Sequence, residues 1–107
     1  MSATIQLKRG DTLRLKCTAR DGSTPTDLTG ITIRSQVRSG ATLAHELDVD
    51  VSDQVVAPGE FFLSASATVT KAWPLGPLLC DVQYTYASGD VVSSPTFNVV
   101  VTADVTR

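Results

Sequence analysis

Along most of this chain apolar side chains recur at every second position. "TLRLKCTA" sets Leu13, Leu15, Cys17 and Ala19 on one face and Arg14, Lys16 and Thr18 on the other. "ITIRSQVR" sets Ile31, Ile33 and Val37 against Thr32, Arg34, Gln36 and Arg38. "TLAHELDVDV" alternates Leu43, His45, Leu47, Val49 and Val51 with Ala44, Glu46, Asp48 and Asp50. A repeat of two is the mark of a strand with one buried face. "TIQL", "FFLSASA", "LLCDVQYTYA" (Leu78, Cys80, Val82, Tyr84 and Tyr86 inward) and the closing "TFNVVVTADV" read the same way. Between them lie turn signals at Gly10–Asp11, "DGSTPTDLTG", 39–41, "APGE" and "SGD". Only "TVTKAWPLG" resists. A helical turn there must stop by Ala72 or Trp73, because Pro74 disfavours α geometry in the residue before it. About seven strands at intervals of roughly 10 to 15 residues predict an antiparallel β-sandwich.

Two strands invite a register. A turn at 39–41 joins strand 31–38 to strand 42–50 as a hairpin. Arg34 then stands opposite Glu46 outside, with Ile33 opposite Leu47 and Ser35 opposite His45 inside. Leu28 of "DLTG" is expected to cover one end of the core, with Gly30 relieving backbone crowding where the strand begins. Trp73 and Pro74 are expected to plug the other end as structural residues.

Composition narrows the class. The 107 residues suit one domain, 1–107, with a single core. At 42% apolar the chain is too hydrophobic for disorder, and 19% charged residues leave Thr, Ser and Gln to solvate the surface. No apolar run approaches the ~18 residues of a membrane span. "MSATIQLKRG" has no stretch of signal-peptide length, so the expectation is a chain made and kept in a cytoplasm, with no membrane partner. A net charge of −2 gives no steering toward nucleic acid. The charges are nevertheless split. Lys8, Arg9, Arg14, Lys16, Arg20, Arg34 and Arg38 face only Asp11, Asp21 and Asp27 in the first part of the chain. Beyond Gly40, Lys71 and Arg107 stand against Glu46, Asp48, Asp50, Asp53, Glu60, Asp81, Asp90 and Asp104. Such blocks either pair within the domain or mark complementary surfaces for assembly.

Catalytic chemistry is thin. One histidine and two distant cysteines make no metal set. His45 falls on an apolar strand face, where it reads as a polar residue at the sandwich rim rather than a general base. Glu46, Asp48 and Asp50 alternate along a strand about 7 Å apart in a line, which cannot wrap a calcium ion as a loop does. With Asp53 they read as a solvated face. No phosphate-cradling glycine motif occurs, and aromatics do not interleave with basic residues. We therefore assign no catalytic, cofactor-binding or metal residues, no small-molecule substrate and no enzymatic activity.

Cys17 and Cys80 face inward on the second and sixth predicted strands, the positions bridged in an immunoglobulin domain. The fold class is thus all-β, an immunoglobulin-like antiparallel sandwich. The tryptophan expected on the third strand is missing, and a cytoplasm keeps thiols reduced. The two cysteines are expected to be buried neighbours, free, acting as small apolar residues.

The order of short motifs carries a resemblance. "GDT" (10–12), "DLTG" (27–30), the W-P-x-G turn at 73–76, the "DV" strand with its later Gly-Asp turn, and a closing strand ending in "VT" span nearly the whole chain. In that order they resemble small phage and prophage virion domains, in particular the N-terminal domain of phage baseplate upper proteins. The resemblance implies a virion structural protein whose partners are other virion proteins, with a homo-oligomer as one form. The sequence ends at Arg107 without a receptor-binding or trimerising region. That would suit an accessory or adaptor piece of the tail, baseplate or head-tail region. The competing class is a free-standing binding module for a carbohydrate or host protein. It would present aromatics on one exposed face.

Overall fold

The computed structural model describes residues 4–40 and 42–105. In chain order its elements are β1 (Thr4–Lys8), β2 (Leu13–Thr18), β3 (Arg20–Asp21), β4 (Thr24–Pro25), β5 (Thr32–Ser39) and β6 (Thr42–Glu46). Then follow β7 (Asp48–Val51), β8 (Glu60–Ala65), α1 (Ala67–Thr70), β9 (Gly76–Thr85), β10 (Val91–Ser93) and β11 (Phe97–Thr102). They form a sandwich. One sheet runs β1-β11-β9-β5-β6, with β10 in line with β11 along β9, and the other runs β2-β8-β7. β1 lies parallel to β11, while the other ladders are antiparallel.

The expected alternation builds the core. Leu13, Ile33, Val37, Phe61, Leu63, Ala65, Leu78, Cys80, Val82, Val99 and Val101 are buried between the sheets. The ring of Phe61 meets that of Tyr84 edge-on at 6.0 Å between centroids, a favoured aromatic geometry. Among the described residues eleven strand segments replace the seven expected, for three reasons. Arg20–Asp21 and Thr24–Pro25 zip into a two-residue ladder inside the predicted loop. β10 is an added strand ahead of the predicted last one, set apart from β11 by Pro95, which has no N–H to donate to the ladder. Finally, "TLAHELDVDV" is cut at Leu47 and shared between the two sheets.

That cut corrects the predicted hairpin. Ser39 pairs with Thr42 and Arg38 with Leu43, then Val37 pairs with His45 and Gln36 with Glu46. Ala44 is therefore an extra residue, a β-bulge, and the link between strands is shorter than the three residues expected. Gly40 in that link adopts φ +60°, and Ala41 lies outside the described residues. An extra residue reverses the alternation. Leu43, predicted inward, is 48% exposed, whereas Ala44 packs against the core. Past the bulge the faces agree with the prediction but the partners move by two. Leu47 donates its N–H to Ser35, not Ile33 (2.8 Å). Tyr86, also predicted inward, lies past the end of β9 and is 38% exposed.

Both ends of the sandwich close through polar anchors. Ser66 caps α1, and the buried Thr70 hydroxyl accepts the Gly10 N–H (3.1 Å) and donates to the Asp11 carbonyl (2.7 Å). At the opposite end Leu28 is buried as expected. Gly30 meets no crowding; it is required by its φ of +80°. What holds this end is Gln54. Its Oε1 accepts the N–H groups of Leu28 (2.9 Å) and Gly59 (2.8 Å), while its Nε2 donates to the carbonyls of Ser52 and Glu60. Gly59 sits at φ +81°, and a Cβ there would stand 2.5 Å from the Ala19 carbonyl oxygen.

Two stability measurements check this account. Gly59→Ala combines left-handed strain, of order 1–3 kcal/mol, with that clash. It is expected to lower urea-unfolding stability by more than Gly22→Ala, whose φ of +63° looks onto open space. Trp73 is 3% exposed, so Trp73→Ala is expected to cost about 3–5 kcal/mol in the same assay. A variant as stable as the parent would move Trp73 out of the structural role.

Candidate interaction surface

The outer face of the three-stranded sheet is built by the same alternation that fills the core. β8 pairs Ser64 with both Arg14 and Asp48, and Phe62 with both Lys16 and Asp50. Two rows therefore cross the sheet, Arg14–Ser64–Asp48 and Lys16–Phe62–Asp50. Arg14, Lys16, Asp48 and Asp50 are all exposed. β2 and β7 form the two edges, one basic and one acidic, about 10 Å apart with β8 between them. No ion pair joins them among the described residues. The Arg14 guanidinium instead lies 4.3 Å over the ring of half-buried Phe62, a cation–π contact.

The outer face of the larger sheet treats its charges differently. Arg34 Nη2 donates to Glu46 Oε1 at 2.8 Å, Gln36 donates to the same oxygen at 3.1 Å, and Arg38 donates to Gln36 at 2.6 Å. Arg34 is set diagonally from Glu46, not opposite it as expected, because of the two-residue shift. The hydrogen bonds from Arg34 and Gln36 hold the Glu46 carboxyl below its ordinary range. One sheet thus pairs the two charge blocks internally, and the other keeps them apart.

The remaining singled-out residues take structural places. His45 is half-buried beside Trp73, ring centroids 6.4 Å apart, in a groove of ≈ 440 Å³ with Leu43, Ala44 and Val69. The Trp73 indole N–H finds no acceptor among the described residues, so its contribution is packing. Asp53, apart from the other acids, accepts the Val55 N–H at 2.9 Å. No group of three or more His, Cys, Asp or Glu is placed to hold a metal among the described residues. Cys17 and Cys80 are free; Cys80 is buried as expected, but Cys17, on an edge strand, is only half-buried. Ser35 closes the polar account of the core. Its hydroxyl donates to the Asp81 carbonyl (2.6 Å) and lies 3.4 Å from Cys80 Sγ.

Sequence reasoning missed the bipolar sheet and Gln54. The first had a signal, since "LRLK" and "LDVD" share one alternation with opposite charge. The second had none, because its partners are backbone groups, which carry no sequence signal, and the one that joins two loops, Leu28, lies 26 positions away.

Comparison with family models and with curated proteins finds no match. Among solved structures the chain resembles CopC from Methylosinus trichosporium OB3b (15% identity, TM-score 0.53), covering 95% of this chain and 86% of that one. It also resembles murine CRIg (14%, TM-score 0.45; 92% of each chain). A further match is AggA, the major subunit of aggregative adherence fimbriae type I from Escherichia coli (12%, TM-score 0.33; 94% and 91%). The CopC likeness establishes the all-β sandwich and nothing finer.

The thiols generate a pH prediction. Burial, with the neighbouring Cys80 adding to it, pushes the Cys17 thiol from an ordinary 9.0 up to about 11. Burial also raises Cys80. Folding therefore favours the neutral thiols. This contribution is complete below about pH 9 and is lost as pH rises through about 11. Urea midpoints are expected to fall across that window, and less steeply in Cys17→Ser. Thiol titration of denatured, freshly purified protein should find two free groups.

Proposed function

We propose that this chain is a structural protein of a phage or prophage particle, an accessory or adaptor piece of the tail, baseplate or head-tail region. It works through protein–protein contacts. The observation that supports it best is the three-stranded sheet, whose oppositely charged edge strands are exposed and unpaired with each other. Such edges offer backbone and charge to another chain. The setting comes from the motif order "GDT", "DLTG", W-P-x-G, "DV" with its Gly-Asp turn, and "VT". On this reading the protein is made in a bacterial cytoplasm and resides in the virion. It has no catalytic role, no cofactor and no nucleic-acid, membrane or small-molecule partner.

One cleft favours a second reading, a free-standing module for a carbohydrate or host protein. Tyr84, Tyr86, Arg20 and Val92 line a hollow of ≈ 370 Å³ at the end of the sandwich. An exposed tyrosine beside an arginine is a common means of stacking and hydrogen-bonding a sugar. Mass spectrometry of purified particles, together with the genes flanking the coding sequence, decides between them. The proposal expects the chain in the particle and head or tail genes on both sides. Its absence from particles and an isolated locus, with glycan binding lost in Tyr86→Ala, would replace it with the second reading.

A further inference from the structure

The functional reading names contacts but not their geometry. Among the described strands of the two main sheets, β1, β6 and the short β10 are edges of one sheet and β2 and β7 those of the other. β11, whose sparse charge marks it as a candidate edge, lies between β1 and β9 and is closed to partners. β1 contributes a single charge, Lys8. β6 contributes Glu46, already committed to Arg34. β10 contributes no charge, and the edges that carry opposed pairs of charge, with no ion pair between them among the described residues, are β2 and β7.

We propose that copies of this chain join head to tail, β2 of one copy pairing in parallel with β7 of the next, so that the three-stranded sheet continues from copy to copy. The inference rests on the assembly reading above. β8 runs antiparallel to both edges, so β2 and β7 run parallel to each other, with Arg14 in the row of Asp48 and Lys16 in the row of Asp50. A second copy in the same orientation sets its own β7 beside β2 in that direction. Arg14 then meets the neighbouring copy's Asp48, and Lys16 meets its Asp50. Both charge pairs repeat at a two-residue rise of about 7 Å, so one register satisfies them together. The inward positions match in the same register. Half-buried Leu15 and Cys17 come against the neighbouring copy's Val49 and Val51, the latter 42% exposed in the isolated chain.

Charge also excludes the alternatives. A two-fold contact through β2 sets cations against cations, and one through β7 sets acids against acids. The sandwich itself dictates curvature. Its larger sheet is five strands across and its smaller one three, so continuing the smaller sheet places it on the inside of an arc. Two extra strand spacings, about 10 Å, over a layer separation of about 10 Å turn each copy by about 1 radian. About six copies then complete a ring or one turn of a tube.

Sedimentation velocity over rising protein concentration tests this, at low salt and near 1 M, where charges are screened beyond about 3 Å. Wild type is expected to form species larger than a dimer that dissociate in high salt. R14E/K16E and D48K/D50K should each be monomeric, and an equal mixture should regain the oligomer, because each supplies the edge that the other lacks. D21K/D90K makes the same charge change as D48K/D50K, outside β2 and β7, and should assemble like wild type. Thermal melts establish that each variant is folded, and R14Q/K16Q replaces any reversal that is not. A wild-type monomer at both salts, a salt-indifferent dimer, or a mixture that stays monomeric would overturn the proposal. A monomer found in particles would overturn it and leave the virion reading standing; an oligomer absent from particles would do the reverse.

Discussion

A paired strand can change which of its residues face the core only by gaining or losing a residue. In this chain the change is made at Ala44. Without that bulge, the phase that leaves the hairpin with Leu43 outside would send His45 to solvent and Glu46 into the core. With it, Ala44 and His45 pack inward near Trp73, Glu46 emerges beside Arg34, and Leu47 enters the core at the crossing between sheets. β7 then begins in the right phase to show Asp48 and Asp50 to water and Val49 to Leu63. The ion pair on one face and the acidic edge on the other both follow from one extra alanine.

Around that crossing the ends of the sandwich are held by polar groups in defined positions. Thr70 fastens α1 to the link between β1 and β2, and Gln54 braces its own loop with three hydrogen bonds and ties it to the loop of Leu28 with a fourth. Buried backbone groups without partners cost of the order of 1–3 kcal/mol each. One well-placed amide that satisfies several such groups can therefore matter as much as a core leucine. Each end joins a polar anchor to an apolar plug, Thr70 with Trp73 at one and Gln54 with Leu28 at the other.

The charge blocks divide by layer. In the larger sheet β5 and β6 are adjacent, so cations from the first part of the chain reach the first acid of the second. In the smaller sheet β8 separates β2 from β7, and the same two blocks stay apart. Exposed pairs of the first kind add little stability. Charges on separated edges lack even that contribution, because β8 holds them too far apart to pair.

The sequence by itself determined seven strand stretches, their inward faces in β2, β5 and β9, the helical turn that stops before Pro74, and the sandwich class. Period-two alternation and turn chemistry are local, and the core accepts any residues that keep them. Leu28 and Trp73 as end plugs were legible for the same reason, since large apolar residues beside turns have few other places to go. The bulge at Ala44, the sheet change at Leu47, the parallel seating of β1 on β11 and the bonding of Gln54 were decided only by the tertiary structure. Each depends on which strands become neighbours, a choice made by closing two sheets over one core. Nothing in "TLAHELDVDV" taken alone distinguishes one long strand from two that part company. The placement of Arg14 and Lys16 across from Asp48 and Asp50 belongs to the same class. The alternation predicted that these residues face water, and the order β2-β8-β7 decided that they face it from opposite edges.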